Sequence, residues 1–235
     1  MKVVWTNYAE FENELKLVGE LASVSTGKDE PEKYIAIARH CIKSGHMTPT
    51  RAMRFLFKIE GISRVVSHEF VRHEVGVIKV QESQRYVNAG DAEFVTPDEI
   101  KGSADEESYE LAICESFANY QDYLDVGFKK EIARYTLTNA TCTKINVCFN
   151  WEGLSNFLQK RLCARAQPEM RKLAQEISNQ LYLGVPIQYH DLLNLHMKRK
   201  CDIVGYCNEI NTCGYKPSRE KFFSTYERGK FIEGS

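Results

Sequence analysis

Residues 65–87 concentrate side chains able to hold an anion or move a proton: His68, Glu69, Arg72, His73, Glu74, Gln81, Glu82, Ser83, Arg85 and Tyr86. Ser83 and Arg85 combine a hydroxyl with a guanidinium fork, a pair suited to a phosphate. Ile62, Val65, Val66, Glu69, Arg72 and His73 recur at three- and four-residue spacing, so on a helix they would share a stripe. That stripe has two readings. Its charged end can be a solvated face whose pairs contribute about a few tenths of a kcal/mol each, or it can run from the core into a polar site. A second set carries the same ambiguity. Leu154, Leu158, Arg161 and Arg165 are spaced for one helix face. The arginines can lie over apolar surface with their heads in water, or they can end the stripe at an anionic ligand.

The elements that must position these residues follow from periodicity and punctuation. Residues 3–5 read as a strand, and residues 10–21 as a helix burying Phe11, Leu15, Val18 and Leu21. Pro31 near a helix start, with acidic residues around it, opens a second helix whose inner face is Ile35, Ala38, Cys41 and Ile42. Gly45 and Pro49 end it. Phe55, Phe57 and Ile59 alternate as in a strand. After the central helix, Gly76 breaks the pattern, Val75, Val77 and Ile78 favour extended backbone, and residues 81–86 suit a loop lining a site. Residues 106–126 read as a long helix burying Leu111, Cys114, Phe117, Ala118 and Leu124. A short helix covers residues 131–135, residues 136–149 read as a strand, and residues 154–183 as helix interrupted at Pro168.

The 235-residue chain is 43% hydrophobic and 27% charged, the composition of one globular domain over residues 1–235. Residues from about 185 onward form a divergent C-terminal extension, with a polar, partly flexible end from Lys216. A formal charge of −1 argues against nucleic-acid binding. No apolar run approaches the ~20 residues of a membrane span, and the acidic N-terminal stretch is unlike a signal peptide, so no membrane partner and a cytoplasmic location are expected. The eight cysteines are then expected as thiols. Cys201, Cys207 and Cys213, with His196 as a possible fourth ligand, have spacings unlike common zinc modules, and no metal is expected.

Four motifs stand together between Ser25 and Glu169. Arg72-His73-Glu74, then Ser83-Gln84-Arg85-Tyr86, resembles the Arg-His-Arg…Ser-x-Arg-Tyr signature of the flavin-dependent thymidylate synthases (the ThyX family). Gly45-His46-x-Thr48-Pro49 resembles that family's Gly-His-x-Thr-Pro turn, and Ile132-Ala133-Arg134 its third arginine segment. Asn156-Phe157-Leu158 through Arg161, followed by Ala166-Gln167 and Glu169, is similar to its second block.

The resemblance implies an α/β (α+β) fold, a twisted sheet flanked by long helices, and a homotetramer with sites between subunits. It implies reductive methylation of dUMP to dTMP, with methylenetetrahydrofolate giving the carbon and NADPH the hydride through FAD. Such chemistry belongs to the cofactor, while the protein binds and polarises. By position, Ser83, Gln84 and Arg85, with Arg134 from a neighbouring subunit, would hold the nucleotide phosphate. Arg161 would contact the pyrimidine and act catalytically. Ser25, Thr48, Arg72, His73, Glu74 and Asn156 would hold the flavin. Gln81 stands where a glutamate is usual, and Arg165 where some members have a histidine. Glu74 replaces the second arginine of the signature, Glu69 stands where a glutamine is usual beside the substrate, and Arg51 where an acidic residue is common. Glu69 is expected to pair with Arg72 or His73, leaving dUMP preferred over dCMP. A non-catalytic nucleotide-binding homologue and a cysteine-rich interaction module are the readings from other classes.

Overall fold

The computed structural model describes residues 1–27, 29–90 and 92–230. Four strands, β1 (Lys2–Trp5), β2 (Phe55–Ser63), β3 (Val77–Gln81) and β4 (Cys142–Phe149), form one sheet in the order β1-β2-β4-β3. Every neighbouring pair is antiparallel, which makes the fold α+β rather than a parallel α/β sheet. Strand alternation is the reason one face is apolar: Phe55, Phe57 and Ile59 on β2 point with Ile145, Val147 and Phe149 of β4 into the core.

The helices α1 (Phe11–Ser23), α2 (Tyr34–Lys43), α6 (Trp151–Arg161) and α7 (Pro168–Gly184) supply the rest of that core through Leu15, Val18, Phe157, Leu173 and Ile177. Between them in chain order lie α3 (Arg64–Phe70), α4 (Glu106–Asp125) and α5 (Lys130–Ala133). After α7 follow α8 (His190–His196), α9 (Lys200–Val204) and α10 (Arg219–Lys230). The final five residues of the polar end expected from Lys216 lie outside the described residues, and α10 occupies most of the remainder.

Several local expectations change. Ile62 belongs to β2, and α3 ends at Phe70, so Arg72 and His73 sit in the turn beyond it rather than on its face. The buried positions are Ile62, Val66 and Phe70, while Val65 is exposed. Leu21 is likewise exposed on α1. On α4 the inner face is Ile113, Ser116 and Tyr120, leaving Leu111, Cys114 and Ala118 in the open. α4 packs through a small satellite cluster of Ala89, Tyr120 and Ala133, and its Tyr109 and Phe117 meet Val95 and Phe94. Pro168 restarts rather than kinks a helix: it takes the first position of α7, where its missing N–H costs nothing. Arg165 consequently lies in a linker and shares no helix face with Arg161.

One junction sets the placement of α6. Gly76 has φ +70°, and its carbonyl accepts from Asn150 N at 2.8 Å. The Asn150 side chain then caps α6 by accepting from Gly153 N at 2.8 Å. A Cβ on Gly153 would stand 2.4 Å from the Gly76 carbonyl oxygen, so the two backbones touch only because no side chain intervenes. Gly153→Ala is expected to cost about 2 kcal/mol or more, since neither backbone can move without breaking the cap. Urea unfolding measures this, and an unchanged midpoint would show that the junction is slack.

Candidate active site

Arg161 is the last residue of α6, where the cationic side chains of Lys160 and Arg161 also complement the helix C-terminus. Its fork reaches two residues far away in sequence. Nε donates to His73 Nε2 at 2.9 Å, and a terminal nitrogen donates to Glu69 at 3.0 Å. The expectation that Glu69 pairs with Arg72 or His73 is thus replaced by a tertiary pair. Helical spacing offered nearby partners, but Arg72 falls past the helix end and is exposed. Glu69 projects instead toward α6, and its carboxylate lies at the arginine assigned to the pyrimidine.

His73 is held neutral. Burial, reinforced by the charges of Arg161, Lys160 and Lys79, pushes it down to about 4. The hydrogen bond agrees, because Nε2 can accept from a guanidinium only when unprotonated. The ring packs edge-on against Phe157 at 5.2 Å and beside Phe70. Lys79 on β3 fastens the turn by donating to the carbonyls of Val71 and His73. Burial lowers this lysine, and the neighbouring Glu74 carboxylate opposes that shift. Glu74 itself is exposed, so the charge it brings is answered by Lys79.

Residues 83–86 and the helix after α4 form a second group. Arg85 donates to Glu131 from two nitrogens, at 3.1 and 3.0 Å, and Arg134 Nε donates to the Glu131 carbonyl at 3.3 Å. Ser83 accepts from Arg85 N, and Lys130 donates to the Tyr86 carbonyl. Arg85, Tyr86, Lys129, Lys130 and Glu131 line an open depression. Gln84 is half-buried nearby in sequence. Gln81 is spent on structure: its amide donates to Ser67 and Thr143, leaving only its carbonyl oxygen free to accept from a ligand. Sequence reasoning missed Arg64, whose guanidinium is pushed down by burial and by Arg134 beside it, and which keeps one buried nitrogen without a hydrogen-bond partner among the described residues. A lone arginine at a helix start carries no spacing signal.

The remaining assigned residues are dispersed. Ser25 is exposed and its hydroxyl donates to Ala22; Thr48 is exposed at the head of a short turn that packs against α1 and α6. Asn156 is exposed on α6. Arg51 pairs with Glu152 at 2.6 Å, so its charge is neutralised at the N-terminus of α6. Arg165 donates to the Asn211 carbonyl at 2.7 Å and lies 3.6 Å from Glu209, both in the C-terminal extension. Among the described residues no group of three or more His, Cys, Asp or Glu is placed to hold a metal ion, and His196 bonds the Ile42 carbonyl. No described helix is long and apolar enough to cross a membrane.

Fold and site together define an antiparallel α+β protein in which Arg161, His73 and Glu69 meet from distant parts of the chain. The fold is shared with a flavin-dependent thymidylate synthase of Helicobacter pylori solved with FAD and dUMP, at TM-score 0.63 and 19% identity, over 84% of this chain and 100% of that one. A family model described as thymidylate synthase complementing protein matches residues 3–187. The flavin-dependent thymidylate synthase of Nitratidesulfovibrio vulgaris is 32% identical over 83% of this chain and 82% of its own. That of Pyrococcus abyssi is 35% identical over 78% of each. The chain belongs to the flavin-dependent thymidylate synthases.

His73 is expected to remain neutral at pH 6 and to titrate near 4, followed by NMR of its ring carbons. Arg161→Gln should raise that value without restoring 6.5, because burial is the larger cause. The sign for stability follows: between 6.5 and about 4 the unfolded chain takes up this proton first, so His73 weakens the fold as pH falls through that window and contributes fully above it. A titration near 6.5 in the parent protein would contradict the buried Arg161–His73 bond.

Proposed function

We propose that this chain catalyses the reductive methylation of dUMP to dTMP, with FAD as cofactor and methylenetetrahydrofolate and NADPH as co-substrates. The observation that carries the reading is the tertiary convergence of Arg161, His73 and Glu69, drawn from two of the motifs that resemble the family. The donor set suits FAD: Arg72 is an exposed guanidinium beside a neutral imidazole, with Lys79 and Lys160 adding positive charge around it. Ser25, Thr48, Arg72, His73, Asn156 and Arg165 would hold it, with Glu74 and Gln81 at its margin. When bound, FAD supplies the hydride relay between the reductant and the pyrimidine.

The protein's own part is binding and polarisation. Arg161 would donate to the pyrimidine and draw electron density from it, with Glu69 fixing the plane of its fork. Ser83, Gln84 and Arg85 would take the phosphate, displacing the Glu131 carboxylate that now occupies Arg85. No thiolate is required by a hydride route. Consistently, burial raises Cys41, Cys148 and Cys201, and pushes Cys142 up to about 11, which leaves these thiols poor nucleophiles at neutral pH.

We place the site between subunits of a homotetramer, with Arg134 serving a neighbour's phosphate. Support comes from unpartnered apolar surface: Ile78 and Val80 on β3 share an open sheet face with Val4 and Leu56, and Leu111, Val126, Phe128 and Tyr135 are exposed around α4 and α5. One observation favours dCMP as a second reading. The Glu69 carboxylate at Arg161 can accept from a cytosine amino group, where uracil offers a carbonyl.

The purified protein is expected to take up FAD, to run as a tetramer, and to shift its flavin spectrum more strongly with dUMP than with dCMP. Arg161→Lys keeps the charge but loses the planar fork, and kcat should fall by about tenfold or more while the unfolding midpoint holds. Failure to take up FAD would end the flavin reading. Tighter binding and methylation of dCMP, with Glu69→Gln restoring dUMP preference, would replace the substrate.

A further inference from the structure

Beyond residue 187, where the family match stops, the chain returns to the active-site end of α6 and lines a half-open cavity of about 280 Å³. Six cations line it: Lys160, Arg161 and Arg165 from the matched part, and Arg199, Lys200 and Lys216 from the extension. Glu209 is the one carboxylate among its lining residues. In a chain with 31 basic and 32 acidic residues, such a bias within one cavity leaves repulsion that is only partly compensated and that an anion would relieve. The existing counter-charges are partial. Glu69 stands 3.0 Å from Arg161, Glu209 3.6 Å from Arg165 and Asp202 3.8 Å from Arg199, while Lys160, Lys200 and Lys216 have no carboxylate partner among the described residues.

The cavity is built rather than incidental. Arg199 and Lys216 both lie over the ring of Tyr215, at 4.7 and 5.2 Å, which sets them on one wall. Arg165 is anchored separately, tied to the Asn211 carbonyl. Its field reaches the site, since Lys160 is among the charges that hold His73 neutral. The volume is at the small end for ligand cavities, enough for an anionic arm but not for a whole dinucleotide or folate.

We propose that this cavity is a subsite for the anionic arm of a co-substrate, whose clustered phosphate or carboxylate oxygens Lys160, Arg199, Lys200 and Lys216 bind while its reacting end lies beyond Arg161. The inference rests on the proposed function for the identity of the co-substrates. Two sources share the chemistry: the phosphates of the dinucleotide reductant and the carboxylates of a glutamylated folate. Arginine forks and lysine point charges accept either.

The test uses the full-length, FAD-loaded protein and the variant Lys200→Gln/Lys216→Gln, with Lys200→Arg/Lys216→Arg as the charge-keeping control. Calorimetric titration employs two probes, adenosine 2′-phosphate 5′-diphosphoribose and tri-γ-glutamate. The glutamine variant should bind one probe about tenfold more weakly, the arginine control should bind it normally, and dUMP affinity and kcat should be unchanged. Weakening confined to the phosphorylated probe, with a raised KM for the reductant, assigns the dinucleotide. Weakening confined to triglutamate, with a raised KM for polyglutamylated but not monoglutamylated folate, assigns the folate. If neither probe binds the parent protein, or both bind the glutamine variant as tightly as the parent, the subsite is overturned. Loss of FAD or dUMP binding by the parent protein would instead count against the proposed function, and the probe titrations would still decide the cavity.

Discussion

The approach of two backbones, at the Gly76 turn and the first turn of α6, is the constraint on which the site depends. Asn150 joins them by donating from its backbone to Gly76 and accepting at its side chain from Gly153. With its start fixed, an 11-residue helix delivers its last side chain roughly 15 Å away with little freedom. That last side chain is Arg161. At the other side, Ser63 caps α3 and is itself held by Glu169 through 2.8 and 2.6 Å hydrogen bonds, so the start of α7 orients the helix that carries Glu69.

Electrostatics then give the site its character. A guanidinium bonded to an imidazole is tolerable only while the imidazole is neutral, and the aromatic shelf of Phe70, Phe149 and Phe157 removes the water that would favour its protonated form. Glu69 supplies the countercharge to Arg161, and Glu131 does the same for Arg85. Two of the three arginines assigned to the nucleotide, Arg85 and Arg161, are therefore paired internally. Removing one carboxylate would free a donor for the ligand but also loosen the geometry that aims it, since these pairs are only partly screened from solvent.

The extension beyond the family match alters how the site is enclosed. Its contacts engage Arg165, and its own cations join those of α6 around one cavity. Positive charge is thereby concentrated at one end of a chain that is nearly neutral overall.

Local signals in the sequence marked many of the elements up to residue 184, but not the helices that follow. Alternation at Phe55, Phe57 and Ile59 marked β2, Pro168 marked an interruption that the structure resolves as the start of α7, and the motif spacing singled out His73 and Arg161, because period and punctuation are properties of neighbouring residues. The order β1-β2-β4-β3, the exposure of Leu111 on α4, and the partners of Glu69 and Arg165 were decided only by the tertiary structure. Helical spacing suggests i+3 and i+4 partners for any carboxylate. It is silent about an arginine 92 residues away that reaches the same point in space. Such a pair exists because α6 is pinned at Gly76, and pinning is a contact between backbones that no residue pattern encodes.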